Sequence, residues 1–137
     1  MRWLRRAAPF ALILFFGSLP TASLSASTDR LPTRVGECRQ SRIVQITTRW
    51  GETLTYDQGD SLSGSLVRFS NGGIQVTFFK VGELFRSRVR DRVRICLVEV
   101  LEDCPPGDDR GRRYRTTNLR TGESWTLPDD TRMCGGA

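Results

Sequence analysis

Four cysteines, Cys38, Cys96, Cys104 and Cys134, in a 137-residue chain without a single histidine set the tightest limit on what this sequence can fold into. An even count in a small exported chain reads as two disulfides. Zinc is the competing use of such residues, but its usual spacings need a C-x-x-C pair or histidines, and neither is present. If Arg92 to Leu101 is an extended strand, Cys96 lies about 16 Å before its end, and the three residues on to Cys104 span only about 10 Å. That geometry disfavours a Cys96–Cys104 bridge. Two pairings stay open: Cys38–Cys96 with Cys104–Cys134, which is preferred, or Cys38–Cys104 with Cys96–Cys134.

The expectation of export rests on the N-terminus. Arg2, Arg5 and Arg6 precede an uncharged apolar run from Ala7 to Leu19, and small residues follow up to Ala26. This is the layout of a cleavable signal peptide over residues 1–26, with an apolar run shorter than the roughly 20 residues that cross a bilayer. Its removal takes three arginines and no acid, so the formal charge falls from +6 to +3. That mild excess is far from the dense basic stripe that drives nucleic-acid binding by counterion release. The expected location is periplasmic or secreted.

Without histidine, the usual general base of serine and cysteine nucleophile chemistry is missing, and the thiols are committed to bridges. Paired carboxylates remain as a catalytic device, and Glu99, Glu102, Asp103, Asp108 and Asp109 are close in sequence. Most of them sit in a hydrophilic loop, where solvation is the simpler reading. The same loop lacks the spacing of an EF-hand, so neither metal nor cofactor is expected.

Residues 27–36 read as a flexible lead-in and 37–137 as one β domain. Arg42 to Thr48 is rich in β-branched residues. Leu66–Phe69 and Ile74–Phe79 flank Ser70-Asn71-Gly72-Gly73, a tight-turn sequence, and alternation would place Val67 and Phe69 on one face with Ile74, Val76 and Phe78, leaving Arg68, Gln75 and Thr77 on the other. Val81 to Ser87 is a helical turn or a bent connector. Val93 to Leu101 is the candidate central strand. Tyr114–Thr117 and Glu123–Leu127 bracket a turn in which Gly122 can take the left-handed conformation, turning Trp125 and Leu127 together into the core. Five or six short strands with little helix imply an all-β fold, a small barrel or sandwich of the OB or SH3-like kind, stapled by two disulfides.

Arginine recurs at every second position through Arg86, Arg88, Arg90, Arg92 and Arg94. In an extended chain these five would project from one face toward a polyanion. The competing reading is a charged strand edge guarded against aggregation, with Asp91 marking a turn that breaks the row. Trp50, Tyr56, Tyr114 and Trp125 are aromatic enough to form a stacking platform, though in a small β domain they more often fill the core.

The stretches Cys104-Pro-Pro-Gly-Asp-Asp-Arg-Gly-Arg112, Asn118-Leu-Arg-Thr-Gly-Glu-Ser-Trp-Thr-Leu-Pro128 and Cys134-Gly-Gly-Ala137 resemble a family of small exported alphaproteobacterial proteins over residues 36 to 137. The resemblance implies a bacterial periplasmic setting and carries over no functional residue. Taken together, these readings lead to the expectation of a non-enzymatic binding or interaction module of the bacterial envelope, engaging a protein, a glycan or an anionic component. The alternatives are a small carboxylate-dependent hydrolase of envelope polymers and a purely structural envelope protein.

Overall fold

A computed structural model describes residues 30–55 and 63–136; the expected signal segment and Tyr56 lie outside them. The described chain is all-β. It forms β1 (Cys38–Thr47), β2 (Ser65–Phe69), β3 (Ile74–Thr77), β4 (Arg92–Glu99), β5 (Arg113–Asn118) and β6 (Ser124–Pro128), with one short helix, α1 (Gly82–Arg86), between β3 and β4. Every pairing is antiparallel, in the order β3-β2-β1-β4-β5-β6, and the sheet curls into a half-barrel. The β3–α1–β4 connection alone leaves the hairpin order, carrying the chain past β2 and β1 so that β4 lies at the centre of the sheet.

Alternation explains most of the core. Val93, Ile95 and Leu97 of β4 are fully buried on the concave face, where they meet Ile43, Phe69, Tyr114, Trp125 and Leu127, with Leu84 of α1 packed among them. Burying each such side chain contributes roughly 1.5–3 kcal/mol. Trp125 and Leu127 do point inward together, and Gly122 does sit in the left-handed region at φ 76°. Both disulfides form in the preferred pairing. Cys38 and Cys96 are direct cross-strand partners, with Cα atoms 4.0 Å apart, and this is why β1 starts at Cys38, four residues before the β-branched run. No helix among the described residues is long and apolar enough to cross a membrane.

Two expectations change. The lead-in is anchored from Leu31 onward: Pro32 is fully buried, Leu31 packs on the core, and the Gly36 amide donates to the Leu97 carbonyl at 2.8 Å. The β2–β3 hairpin adopts the opposite facing. Its register pairs Val67 with Gln75 and Leu66 with Val76, so Gln75 and Thr77 join Val67 inside while Ile74 and Val76 face the opposite side with Leu66 and Arg68, where Val76 is nonetheless buried, 7% exposed. The turn decides this. The Phe69 amide donates to the Gly73 carbonyl and Gly72 takes φ 82°, leaving three residues in the loop, and a one-residue change of register reverses every side chain.

Turning Gln75 inward solves a problem of closure. β3 and β6 are the two edges of the curled sheet, and no backbone ladder joins them. The Gln75 amide, 1% exposed, spans the seam instead. Its Nε2 donates to the carbonyls of Tyr114 (2.6 Å) and Leu127 (3.2 Å), and its Oε1 accepts from Thr116 Oγ1 (2.7 Å) and Trp125 Nε1 (2.8 Å). All four hydrogen-bonding positions of the amide are used. Gln75→Leu strands those four partners away from water, and should cost about 3 kcal/mol or more in urea unfolding while amide exchange rises along β3. A loss below about 1 kcal/mol would show that the seam closes without it.

Candidate functional site

The five alternating arginines do not form one row. Arg86 lies in α1, where its Nε binds both carboxylate oxygens of Glu123 at 2.7 and 2.9 Å. Arg88 and Arg90 occupy the turn before β4, and Arg90 takes φ 79°. Only Arg92 and Arg94 share a strand face. The break falls at Asp91, which is 8% exposed and held by two side chains and one backbone amide. Arg120 grips it through Nε (2.7 Å) and Nη2 (2.9 Å), Asn118 Nδ2 donates at 2.8 Å, and the Arg88 amide at 2.9 Å. Led by the Arg120 hydrogen bonds, these donors bring its pKa from 3.8 down to about 2.

The fold assembles a different cluster from three adjacent strands. On the convex face, Arg42 of β1 is the direct partner of Arg92 on β4, Gln40 is the partner of Arg94, and Arg115 of β5 is the partner of Cys96. The Cys38–Cys96 bridge lies on this face in the same row as Arg115. Arg92 Nη2 donates to Gln40 Oε1 at 2.8 Å, and Arg115 Nε lies 3.5 Å from Thr126 Oγ1. Among the described residues no carboxylate lies within salt-bridge distance of Arg42, Arg92, Arg94 or Arg115. Aggregation control at a sheet edge does not account for them, because β1 and β4 are the two central strands. Like charges directly opposite on neighbouring strands repel, so the Arg42–Arg92 pair carries a cost that an anion would relieve. Sequence reasoning missed Arg42 and Arg115; the signal for them was polar alternation in 38–42 and 113–117, legible only once β4 was known to lie between those strands.

The loop acids are dispersed. Glu99 pairs with Arg113 at 3.5 Å and Asp109 with Arg112 at 2.9 Å, while Glu102 and Asp103 are exposed. Asp108 accepts from Arg110 Nε and Nη2 at 2.8 and 2.7 Å and from the Gly135 amide at 3.0 Å, which holds its carboxyl well below the usual range. Asp108 and Asp109 line a groove of about 590 Å³ together with Asp129, whose carboxyl burial pushes up while it accepts the Gly111 amide at 2.8 Å. Among the described residues no group of three potential ligands is placed to hold a metal ion.

The aromatic candidates divide. Tyr114 and Trp125 are core, 2% and 5% exposed, whereas Trp50 is 68% exposed on the tight turn after β1. No family model, no curated protein and no solved structure matches this chain.

Asp91 gives a testable pH dependence. A depressed folded-state pKa contributes stability that is full above the unfolded value of 3.8 and lost as pH falls through about 2. Asp91→Asn should therefore flatten the fall in stability between about pH 4 and pH 2, and Asp91→Ala should cost about 3 kcal/mol at pH 7 by leaving Arg120 and Asn118 without their acceptor. Thermal unfolding across that range checks both.

Proposed function

We propose that this chain is an exported, non-enzymatic binding module of the bacterial envelope, periplasmic or secreted, and that its convex arginine face engages an anionic envelope component. The observation that carries the reading is the tetrad Arg42, Arg92, Arg94 and Arg115. These four exposed guanidinium groups lie on three hydrogen-bonded strands and have no carboxylate partner among the described residues. Guanidinium forks suit carboxylate, sulfate and phosphate oxygens, and a rigid sheet presents them with little ordering left to do on binding. The two disulfides suit an oxidising compartment, and the resemblance noted in the sequence points to the same setting.

The test is binding to dextran sulfate, with uncharged dextran as the control for backbone contacts. The expected result is affinity for the sulfated polymer alone, falling steeply with salt, and a shallower dependence on log salt by roughly one unit for each arginine changed to glutamine at 42, 92, 94 or 115. Arg86→Gln, which removes an ion pair with Glu123, should leave that slope unchanged. Salt-independent binding, or equal loss in Arg86→Gln, would overturn the assignment.

A second reading, a carboxylate-dependent hydrolase, draws on one observation. Asp129 and Asp108 line the same groove with their pKa values displaced in opposite directions, the pattern of an acid and base pair. Their partners argue for structural roles, since Asp108 is gripped by Arg110 and Asp129 caps the Gly111 amide. Turnover of envelope glycan that vanishes in Asp129→Asn, with the fold intact, would reinstate the enzyme.

A further inference from the structure

A second feature of the convex surface is carried by residues outside the arginine tetrad. The outward facing of β3 places Ile74 and Val76 beside Leu66 and Arg68, giving a strip that is apolar but for one arginine. Two walls rise from it. On one side stand Arg49 and Trp50, on the turn that follows β1. On the other runs the segment after β6, with Asp129, Asp130 and Arg132. The groove between them encloses about 440 Å³, within the usual range for small-ligand sites.

The Trp50 wall is held in place. Thr48, fully buried, accepts the Glu52 amide on Oγ1 at 3.1 Å, the Thr48 amide donates to the Glu52 carbonyl at 2.8 Å, and the Arg49 amide donates to the Ser63 carbonyl at 3.1 Å. Gly51 takes φ 91°, which the tight bend requires. Between the rings of Trp50 and Phe78 lies the Arg49 guanidinium, its carbon 4.3 Å from one ring centroid and 4.5 Å from the other. Arg49 Nε is buried without a hydrogen-bond partner. One side of the indole thus rests on Arg49 while the ring as a whole is 68% exposed. Among the described residues none of Arg49, Arg68 and Arg132 is in a salt bridge.

The chemistry of the lining selects a ligand class. An open indole offers a flat apolar platform, three unpaired guanidinium groups supply donors and positive charge, and Asp129 and Asp130 supply acceptors. A purely apolar ligand would leave these polar groups desolvated. A phosphate dianion would be repelled by the two aspartates. An acidic sugar answers each group: its C–H face covers the indole, its carboxylate takes an arginine fork, and its hydroxyls donate to the aspartates. We infer that the groove formed by Trp50, Arg49, Arg68, Arg132 and Asp130 over the outer face of β2–β3 is a binding site for an acidic, uronate-type sugar residue of a glycan. Because none of these residues belongs to the tetrad, this inference stands or falls separately from the arginine face.

The test is titration calorimetry of the oxidised protein with tetragalacturonate, its methyl ester and inorganic phosphate. Trp50→Ala and Arg132→Gln probe the groove, and Arg92→Gln/Arg94→Gln probes the tetrad. Trp50 is on the surface, so its removal leaves the core intact. Expected are binding of the acidic tetramer, a loss of roughly tenfold on methyl esterification and in Trp50→Ala, a smaller loss in Arg132→Gln, and near-unchanged affinity in the double variant. Absence of binding, binding that survives Trp50→Ala, phosphate binding as tight as the tetramer, or a loss as large in the double variant would each overturn the site.

Discussion

The half-barrel depends on one side-chain amide. A six-stranded sheet that curls without closing keeps two edges, and each edge carries backbone groups that need partners or water. Gln75 meets this need at the seam by accepting from β5 and β6 side chains and donating to their carbonyls. An apolar residue of similar size would fill the space and leave Trp125 Nε1 without an acceptor in the interior, the costlier error. The three-residue turn before β3 is what brings the Gln75 amide to the seam. With Gln75 inside, Ile74 and the largely covered Val76 face the opposite side, so the core's polar closure and the apolar floor of the outer groove are two results of one register.

That register marks the limit of what the sequence could convey. Strand existence was legible from β-branched runs and turn residues: all six strands overlap the stretches those signals marked, though β1 begins four residues earlier at Cys38, and the segment left open between a helical turn and a bent connector holds the short helix. The facing of β3 was not. Sequence alternation made Ile74 and Val76 the natural core residues, and only the three-residue loop closed by the Phe69 amide on the Gly73 carbonyl reverses them. A turn of four glycine-tolerant residues can close in more than one way, and each way has its own parity. The arginine row breaks at Asp91, where the competing reading of the sequence placed a turn. Period-two spacing is meaningful only within a strand, and Asp91, with its demand for Arg120, Asn118 and the Arg88 amide, sets where β4 begins.

The arginines fall into two electrostatic classes. Arg86, Arg110, Arg112, Arg113 and Arg120 each grip a carboxylate and tie loops or strand ends together. For the exposed members of this set the ion pair itself contributes little in water, so the value lies in geometry, most clearly where Arg120 joins the β5–β6 turn to the last residue of α1 and to the buried Asp91. Arg42, Arg92, Arg94 and Arg115 have no such duty. They are held by the sheet beneath them, beside a covalent cross-link between the same two strands, in an arrangement that raises local positive potential without neutralising it. The sheet thus presents a positive face where four arginines gather without a carboxylate partner among the described residues.

The groove and the tetrad share the convex surface, and their spacing bears on how a polymer would meet them. Adjacent strands lie about 4.8 Å apart, so β2, under the groove, and β4, carrying Arg92 and Arg94, are about 10 Å apart across the sheet, and the run of β1 from Arg42 to Thr47, just before the Trp50 turn, adds about 16 Å along it. A long anionic glycan with one residue seated on Trp50 spans this offset and brings later charges over Arg42 and Arg92, a reach beyond the short oligomer that fills the groove. The second contact then forms within one complex, at an effective concentration set by the polymer's own stiffness, and two individually weak sites yield an avidity that neither has alone. Such an arrangement favours long chains over monosaccharides and free ions. It draws on groups at the surface and leaves the Gln75 and Asp91 networks that hold the sheet together undisturbed.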